Sequence, residues 1–191
     1  MVVLTGSIAT GKSSTCRILR EFGYEIIDAD KIAKAVISPK KIEELFGSIY
    51  IQNGEVDRKA LGRLVFSDPL KREMLNSYIH PLIKNEIYKK VSEFEKKKIK
   101  YIVDIPLFFE SKRYEAEIVA LVYCSKDEQI KRLMHRDDLS RDEALGRINA
   151  QIDIEEKRKK ADFIIDNQKD KKHLENEVKK FIGKIGANFK I

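Results

Sequence analysis

Residues 1 to 22 read MVVLTGSIATGKSSTCRILREF: an apolar run, a loop with glycines at positions 6 and 11, then an amphipathic stretch. Gly6, Gly11, Lys12 and Ser13 stand at the spacing of a Walker A phosphate loop, which needs a strand on one side and a helix on the other. Loop amides and the positive end of the helix converge on phosphate oxygens, a lysine reaches the β- and γ-phosphates, and a hydroxyl takes Mg²⁺. The same pattern predicts a strand over 2–5 and a helix over 12–22. Ala9, Thr10, Gly11, Lys12, Ser13 and Ser14 are the residues expected to hold the nucleotide, ATP or GTP. Ser13 is the first candidate metal ligand.

Four more short apolar runs follow, at 24–28, 101–105, 118–124 and 163–166, each nearly continuous in Val, Ile, Leu and aromatic residues. Continuous rather than alternating runs are expected of strands covered on both faces. With helical stretches between them they predict an α/β fold around a five-stranded parallel sheet with right-handed crossovers. The spacing is uneven. Residues 31–99 exceed what one crossover helix needs and read as helices near 40–46, 57–66 and 69–97. A second insertion, 126–160, carries many arginines. The chain is therefore read as one domain of 191 residues: a core of about 1–30, 100–125 and 161–191, a helical subdomain of about 31–99, and a lid of about 126–160.

Helix starts are marked locally. Ser125 with Glu128, and Ser140 with Glu143, have capping-box spacing. Asp68-Pro69 offers an N-cap followed by proline at the first helical position, and Asn53-Gly54 is a turn signal.

Several charged residues fall where ligands bind at the carboxyl edge of an open parallel sheet. Asp28 and Asp30 follow the second apolar run in IIDAD. A carboxylate there can accept a proton from an attacking hydroxyl or order water on Mg²⁺, while the structural alternative makes Asp30 the N-cap of the next helix. Asp104 ends the third run and resembles the carboxylate that organises Mg²⁺, with a turn before Pro106 as the alternative. Arg132 and Arg136 lie four apart on one helix face, and Arg147 and Gln151 repeat the spacing. Guanidinium groups suit phosphate contacts and stacking on purines.

Charge and cysteines narrow the partners. A net charge of +7 favours anionic ligands, but no concentrated basic arm points to nucleic acid. Cys16 and Cys124 are expected to be buried thiols, and no Cys/His cluster has zinc spacing. No signal-peptide pattern or membrane-length apolar run appears, so a cytoplasmic protein without a membrane partner is expected. Taken alone, these features would serve any small-molecule kinase of the P-loop class, a nucleoside-monophosphate kinase included. A nucleotide-dependent RNA-binding switch would share the loop and the strand.

Longer stretches narrow this. LTGSIATGKSS (4–14), IIDAD (26–30), DRKALGRLVF (57–66) with SDP (67–69), IHPLI (79–83), DIPLFFE (104–110), QIKRLMHRDD (129–138), RINAQ (147–151) and ADFIIDN (161–167) together resemble the dephospho-coenzyme A kinase family. The resemblance implies an adenylate-kinase-like fold with a helical acceptor domain and a lid. It implies transfer of the ATP γ-phosphate to the 3′-hydroxyl of dephospho-CoA, the last step of coenzyme A synthesis, with ATP and Mg²⁺. By the same resemblance Lys12 stabilises the transferring group, Asp30 is the general base, and Arg136 approaches the phosphates. Arg132 stacks on adenine, and His80, Leu107 and Glu110 border the acceptor. The family loop is usually GGIGSGKS, so Ser7 and Ala9 replace glycines here, and the segment after IIDAD is shorter than in relatives.

Overall fold

In a computed structural model the described residues are 1–188. In chain order the elements are β1 (Val2–Gly6), α1 (Lys12–Glu21), β2 (Glu25–Asp28), α2 (Ala29–Ala35) and α3 (Pro39–Phe46). A short 3-10 turn (Ser48–Tyr50) leads to β3 (Ile51–Gln52), β4 (Glu55–Val56), α4 (Arg58–Ser67) and α5 (Pro69–Lys96). Then come β5 (Tyr101–Asp104), α6 (Phe108–Ser111), β6 (Ile118–Tyr123), α7 (Lys126–Asp137), α8 (Arg141–Asn149), α9 (Ile154–Lys160), β7 (Phe163–Asp166) and α10 (Lys171–Asn188). The chain divides into two compact units, residues 1–28 with 90–191, and residues 29–89.

The first unit is built on a five-stranded sheet in the order β2-β5-β1-β6-β7, every neighbouring pair parallel. The apolar runs explain it: β1, β5 and most of β6 are buried along their whole length, which a sheet covered on both faces requires. On one face Cys16, Ile18 and Leu19 of α1 and Leu174, Val178, Phe181 and Ile185 of α10 pack on Val2, Leu4, Ile102, Ala120, Val122 and Ile165. On the other, Ile154 of α9 packs with Leu121 and Tyr123. The chain leaves β1 toward β2 on one side, whereas β5 is followed by β6 on the other. The loop after β1 therefore sits at the switch point of the sheet, where its carboxyl edge opens a crevice.

The second unit is helical with one hairpin. Its apolar interior is formed by Ile32, Ile42, Leu61, Ile83 and Ile87, all buried. Asn53 and Gly54, with φ of 52° and 80°, make the two-residue turn between β3 and β4, a turn that needs positive φ at both positions. Arg58 donates to the Lys34 carbonyl at 2.8 Å, and the Tyr78 hydroxyl accepts from Ser38 N–H at 3.2 Å.

Cap signals are mostly realised. Ser140 and Glu143 form a full capping box, and Asp68 accepts from the amides of Leu70 and Lys71 ahead of α5. At α7 only half the expected box forms. Ser125 accepts from Glu128 N–H at 3.3 Å, but the Glu128 carboxylate is turned to Arg132 Nε at 2.8 Å. A charged partner outbids a single backbone amide there. The capping alternative for Asp30 is not the observed arrangement: α2 begins at Ala29, so Asp30 is its second residue, in the first turn and exposed.

Candidate active site

The phosphate loop is shaped from outside. Its carbonyls are taken by side chains: Ile8 C=O accepts from Gln129 Nε2 at 2.7 Å, Thr10 C=O from Asn167 Nδ2 at 2.8 Å, and Arg132 Nη1 approaches the Ala9 and Thr10 oxygens at 3.5 and 3.4 Å. In a trans peptide the next N–H points opposite to the carbonyl. Fixing the oxygens of Ile8 and Thr10 on those side chains thus points the amides of Ala9 and Gly11 away from them, the kind of donor array a phosphate needs. Thr10 Oγ1 donates to Ser7 C=O at 2.9 Å and closes the turn.

The required glycines have visible reasons. A Cβ on Gly11 would lie 2.0 Å from Asn167 Nδ2, and its φ of 92° is left-handed. A Cβ on Gly6 would lie 2.7 Å from Thr10 Oγ1 and 3.2 Å from the Val122 carbonyl. Ala9, where the family pattern has glycine, keeps a left-handed φ of 62°, a strain of about 1–2 kcal/mol for an L-residue. The loop retains the glycine conformation without the glycine.

Lys12 opens α1 and places Nζ 2.6 and 2.7 Å from the two carboxylate oxygens of Asp104. Asp104 ends β5, in register with Leu4 of β1 and with Asp28 of β2, so both aspartates lie at the carboxyl edge of the sheet. Burial pushes the Asp104 carboxyl up from its ordinary value, and the Lys12 charge pulls against that rise. Cys16 Sγ lies 3.5 Å from Asp104 Oδ2. Burial, and secondarily the Asp104 charge, push its thiol up to about 12. Ser13 is exposed and Ser14 partly buried in the first turn of α1.

Beside the loop a cleft of about 350 Å³ is lined by Gly11, Ser14, Arg132 and Asn167, with Ile18 and Leu174 as its apolar floor and Arg17 and Lys171 also bordering it. Arg132 is held by Glu128 and by the Asn167 carbonyl, 2.7 Å from Nη2. Its guanidinium is thus fixed at the cleft wall.

The other expected residues lie elsewhere. Arg136 donates from Nε and Nη2 to the two oxygens of Asp137 at 2.7 and 3.0 Å. Arg147 donates to the same carboxylate at 2.9 Å. The guanidinium beside it holds the Asp137 carboxyl below the usual carboxylate range. The four-residue spacing put Arg132 and Arg136 on one helix face, yet the two side chains serve different partners. Leu107 is exposed, at the turn before α6. Glu110 is tied inward, accepting from Ile152 N–H at 3.2 Å and pairing with Lys157 Nζ at 2.6 Å. Asp30 and His80 belong to the second unit, at the start of α2 and within α5.

Two contributors to the loop had no role assigned from sequence, Gln129 and Asn167, and Glu128, which holds Arg132, was expected only as a capping-box partner. Gln129 carried a signal, being a polar residue in phase with Ile130 and Leu133 on the buried side of α7. Cys16 and Cys124 are free and buried, as expected. Among the described residues no group of three or more His, Cys, Asp or Glu could hold a metal, and no helix is long and apolar enough to cross a membrane.

A parallel sheet with a glycine-bounded loop at its switch point, a lysine at the helix head and an arginine-walled cleft define a P-loop kinase. The chain belongs to the dephospho-CoA kinase family, whose model matches residues 1–173. A dephospho-CoA kinase of Helicobacter pylori is 44% identical over 186 residues, covering 95% of each chain. The dephospho-CoA kinase structure from Campylobacter jejuni superposes with a TM-score of 0.76 at 34% identity, over 98% of each chain. A crystal structure from Thermus thermophilus does so with a TM-score of 0.82 at 34% identity, over 96% of each.

Proposed function

We propose that this chain transfers the γ-phosphoryl group of ATP to the 3′-hydroxyl of dephospho-CoA, giving coenzyme A and ADP. The observation that carries the reading is the phosphate loop with its carbonyls held by Gln129 and Asn167 and Lys12 at the helix head, in a chain of this family. ATP phosphates bind the amides of the loop. Lys12 exchanges Asp104 for the β- and γ-phosphates and neutralises charge as the phosphoryl group moves. The base occupies the cleft against the fixed guanidinium of Arg132, over Ile18 and Leu174, because a planar cation stacks well on a purine.

Asp30 accepts the proton of the attacking hydroxyl. Its support is its place just after the edge of the sheet, exposed and not spent on a cap. Arg136 leaves Asp137 to meet the phosphates. Leu107, exposed on its turn, borders the acceptor, while Glu110 holds that turn in place; His80 is assigned to the acceptor by the family resemblance alone. In this reading residues 31–99 form the acceptor subdomain and 126–160 the lid, which closes to exclude water.

The donor set also fits Mg²⁺: a hydroxyl at Ser13, a carboxylate at Asp104 with Asp28 paired beside it at the sheet edge, and the phosphates of the nucleotide. Mg²⁺ usually takes one or two carboxylates plus phosphates and water. Bound there by Ser13 and Asp104, it would supply charge neutralisation to the phosphate oxygens.

The test is purified protein with ATP, Mg²⁺ and a panel of acceptors, followed by chromatography. Coenzyme A is the expected product. Phosphorylation of a nucleoside monophosphate in its place would overturn the reading.

A further inference from the structure

Ile8 has both its backbone groups bound by glutamine side chains that come from either end of the 126–150 helical pair. Gln129 of α7 donates from Nε2 to Ile8 C=O at 2.7 Å, and Gln151, just past α8, accepts from Ile8 N–H at 2.9 Å. The side chains of Ile8 and Ala9 pack against the apolar cluster that joins α7 to α8, made of Ile130, Leu133, Ala144 and Ile148. We infer that Gln129 and Gln151 are positioning residues that set the orientation of the phosphate loop, one holding the Ile8 carbonyl and the other the Ile8 N–H. In doing so they join the loop to the α7–α8 segment.

The amide orientations follow from the partners. A carbonyl opposite Gln129 demands a donor, so Nε2 faces it; an N–H opposite Gln151 demands an acceptor, so Oε1 faces it. Gln129 is fully buried, and its Oε1 has no hydrogen-bond partner among the described residues. An unsatisfied amide oxygen in an apolar cluster costs stability, and a leucine there would avoid that cost. The useful part of the side chain is the donor aimed at Ile8. The loop also holds left-handed backbone at Ala9 and Gly11, and such strain persists only where surrounding contacts over-determine it. The grip on Ile8 C=O points the Ala9 amide away from Gln129, and the Ile8 N–H is spent on Gln151 rather than on a ligand.

The two sites have opposite polarity requirements, which makes the inference testable apart from general damage. A glutamate at position 151 still accepts from an N–H, whereas a carboxylate at 129 cannot donate and repels the carbonyl. The experiment compares Gln151→Met, Gln151→Glu, Gln129→Met and Gln129→Glu in the full chain. It measures affinity for a non-hydrolysable ATP analogue by calorimetry, KM for ATP and kcat with dephospho-CoA, and melting temperature.

Gln151→Met should weaken the analogue roughly tenfold, the scale of one lost hydrogen bond that leaves its partner unsatisfied. Gln151→Glu should recover most of that loss. Both Gln129 variants should weaken binding comparably, with KM for ATP rising more than kcat falls. The inference is overturned if Gln151→Glu binds as poorly as Gln151→Met, if Gln129→Glu binds as well as the unaltered protein, or if melting falls while affinity holds. Should the buried Gln129 variants not fold, the Gln151 pair decides alone. The kinetic arm rests on the proposed function but the calorimetric arm does not. Unaltered protein that binds the analogue and makes no coenzyme A would sink the acceptor assignment and leave the glutamine inference standing.

Discussion

Lys12 Nζ sits between the two carboxylate oxygens of Asp104, 2.6 and 2.7 Å away, so the cation proposed to meet phosphate is paired here with an anion at the sheet edge. The pair is mostly buried, with side-chain exposures of 17% and 8%. The ion pair fixes the lysine at the carboxyl edge of the sheet. Lys12→Met should therefore lower kcat by roughly 10²–10³-fold, the scale of losing one preorganised charge donor in a dry site. Steady-state kinetics with saturating ATP checks it. Turnover within a few-fold of the unaltered protein would remove Lys12 from the reaction.

Asp30 carries the prediction on proton transfer. Asp30→Asn should leave affinity for ATP unchanged and lower turnover by roughly 10²–10⁴-fold. The residue is exposed and lies inside the first turn of α2, so the substitution should move the melting temperature little. Unchanged turnover would strip Asp30 of the base role.

Glu110 and Lys157 form the other notable buried pair. Lys157 is wholly buried, and at 2.6 Å the contact is an ion pair rather than an aligned hydrogen bond; Nζ has no hydrogen-bond partner among the described residues. Removing one member leaves an uncompensated charge, so Glu110→Gln should cost on the order of 3 kcal/mol in urea unfolding. Lys157→Met alone should cost less, because Glu110 is one-fifth exposed and keeps the Ile152 amide. The double variant should recover part of the Glu110→Gln loss. Simple additivity of the two single effects would show that the pair does not interact.

The two thiols predict behaviour at high pH. Burial pushes Cys16 up to about 12 and Cys124 up to about 11, from 9.0. Well below pH 9 both stay protonated in folded and unfolded chains, and they contribute no pH dependence. Above it the unfolded thiols ionise first, so the folded state binds more protons and stability falls as pH rises. The slope approaches ~1.4 kcal/mol per pH unit for each thiol. Urea unfolding at pH 8 through 10.5 should show the decline, and a Cys16→Ala, Cys124→Ala double variant should reduce it. Rapid alkylation of both thiols in the native protein at pH 8 would contradict it.

The elements were legible because their signals are local. Strand β7 was read at its observed limits, 163–166, and α3, α4 and α5 within a residue or so of theirs, since continuous β-branched runs, a proline at a helix start and serine caps act over a few residues. Gly6, Gly11 and Lys12 were legible because a phosphate loop needs a tight backbone and a cation at fixed spacing. The half-formed box at Ser125 was not, since whether Glu128 turns to a backbone amide or to Arg132 is a contest between side chains one helical turn apart.

By itself, then, the sequence determined a parallel α/β core and a phosphate-binding loop, because periodicity and turn chemistry are written over short distances. Only tertiary structure decided what holds that loop open. Gln129, Gln151 and Asn167 are 121, 143 and 157 residues away from the loop positions they bind. Tertiary structure likewise sent Arg132 to the cleft wall, onto the Asn167 carbonyl. No spacing rule encodes such partners, because they meet only after strands distant in sequence have paired and the helices have packed over them.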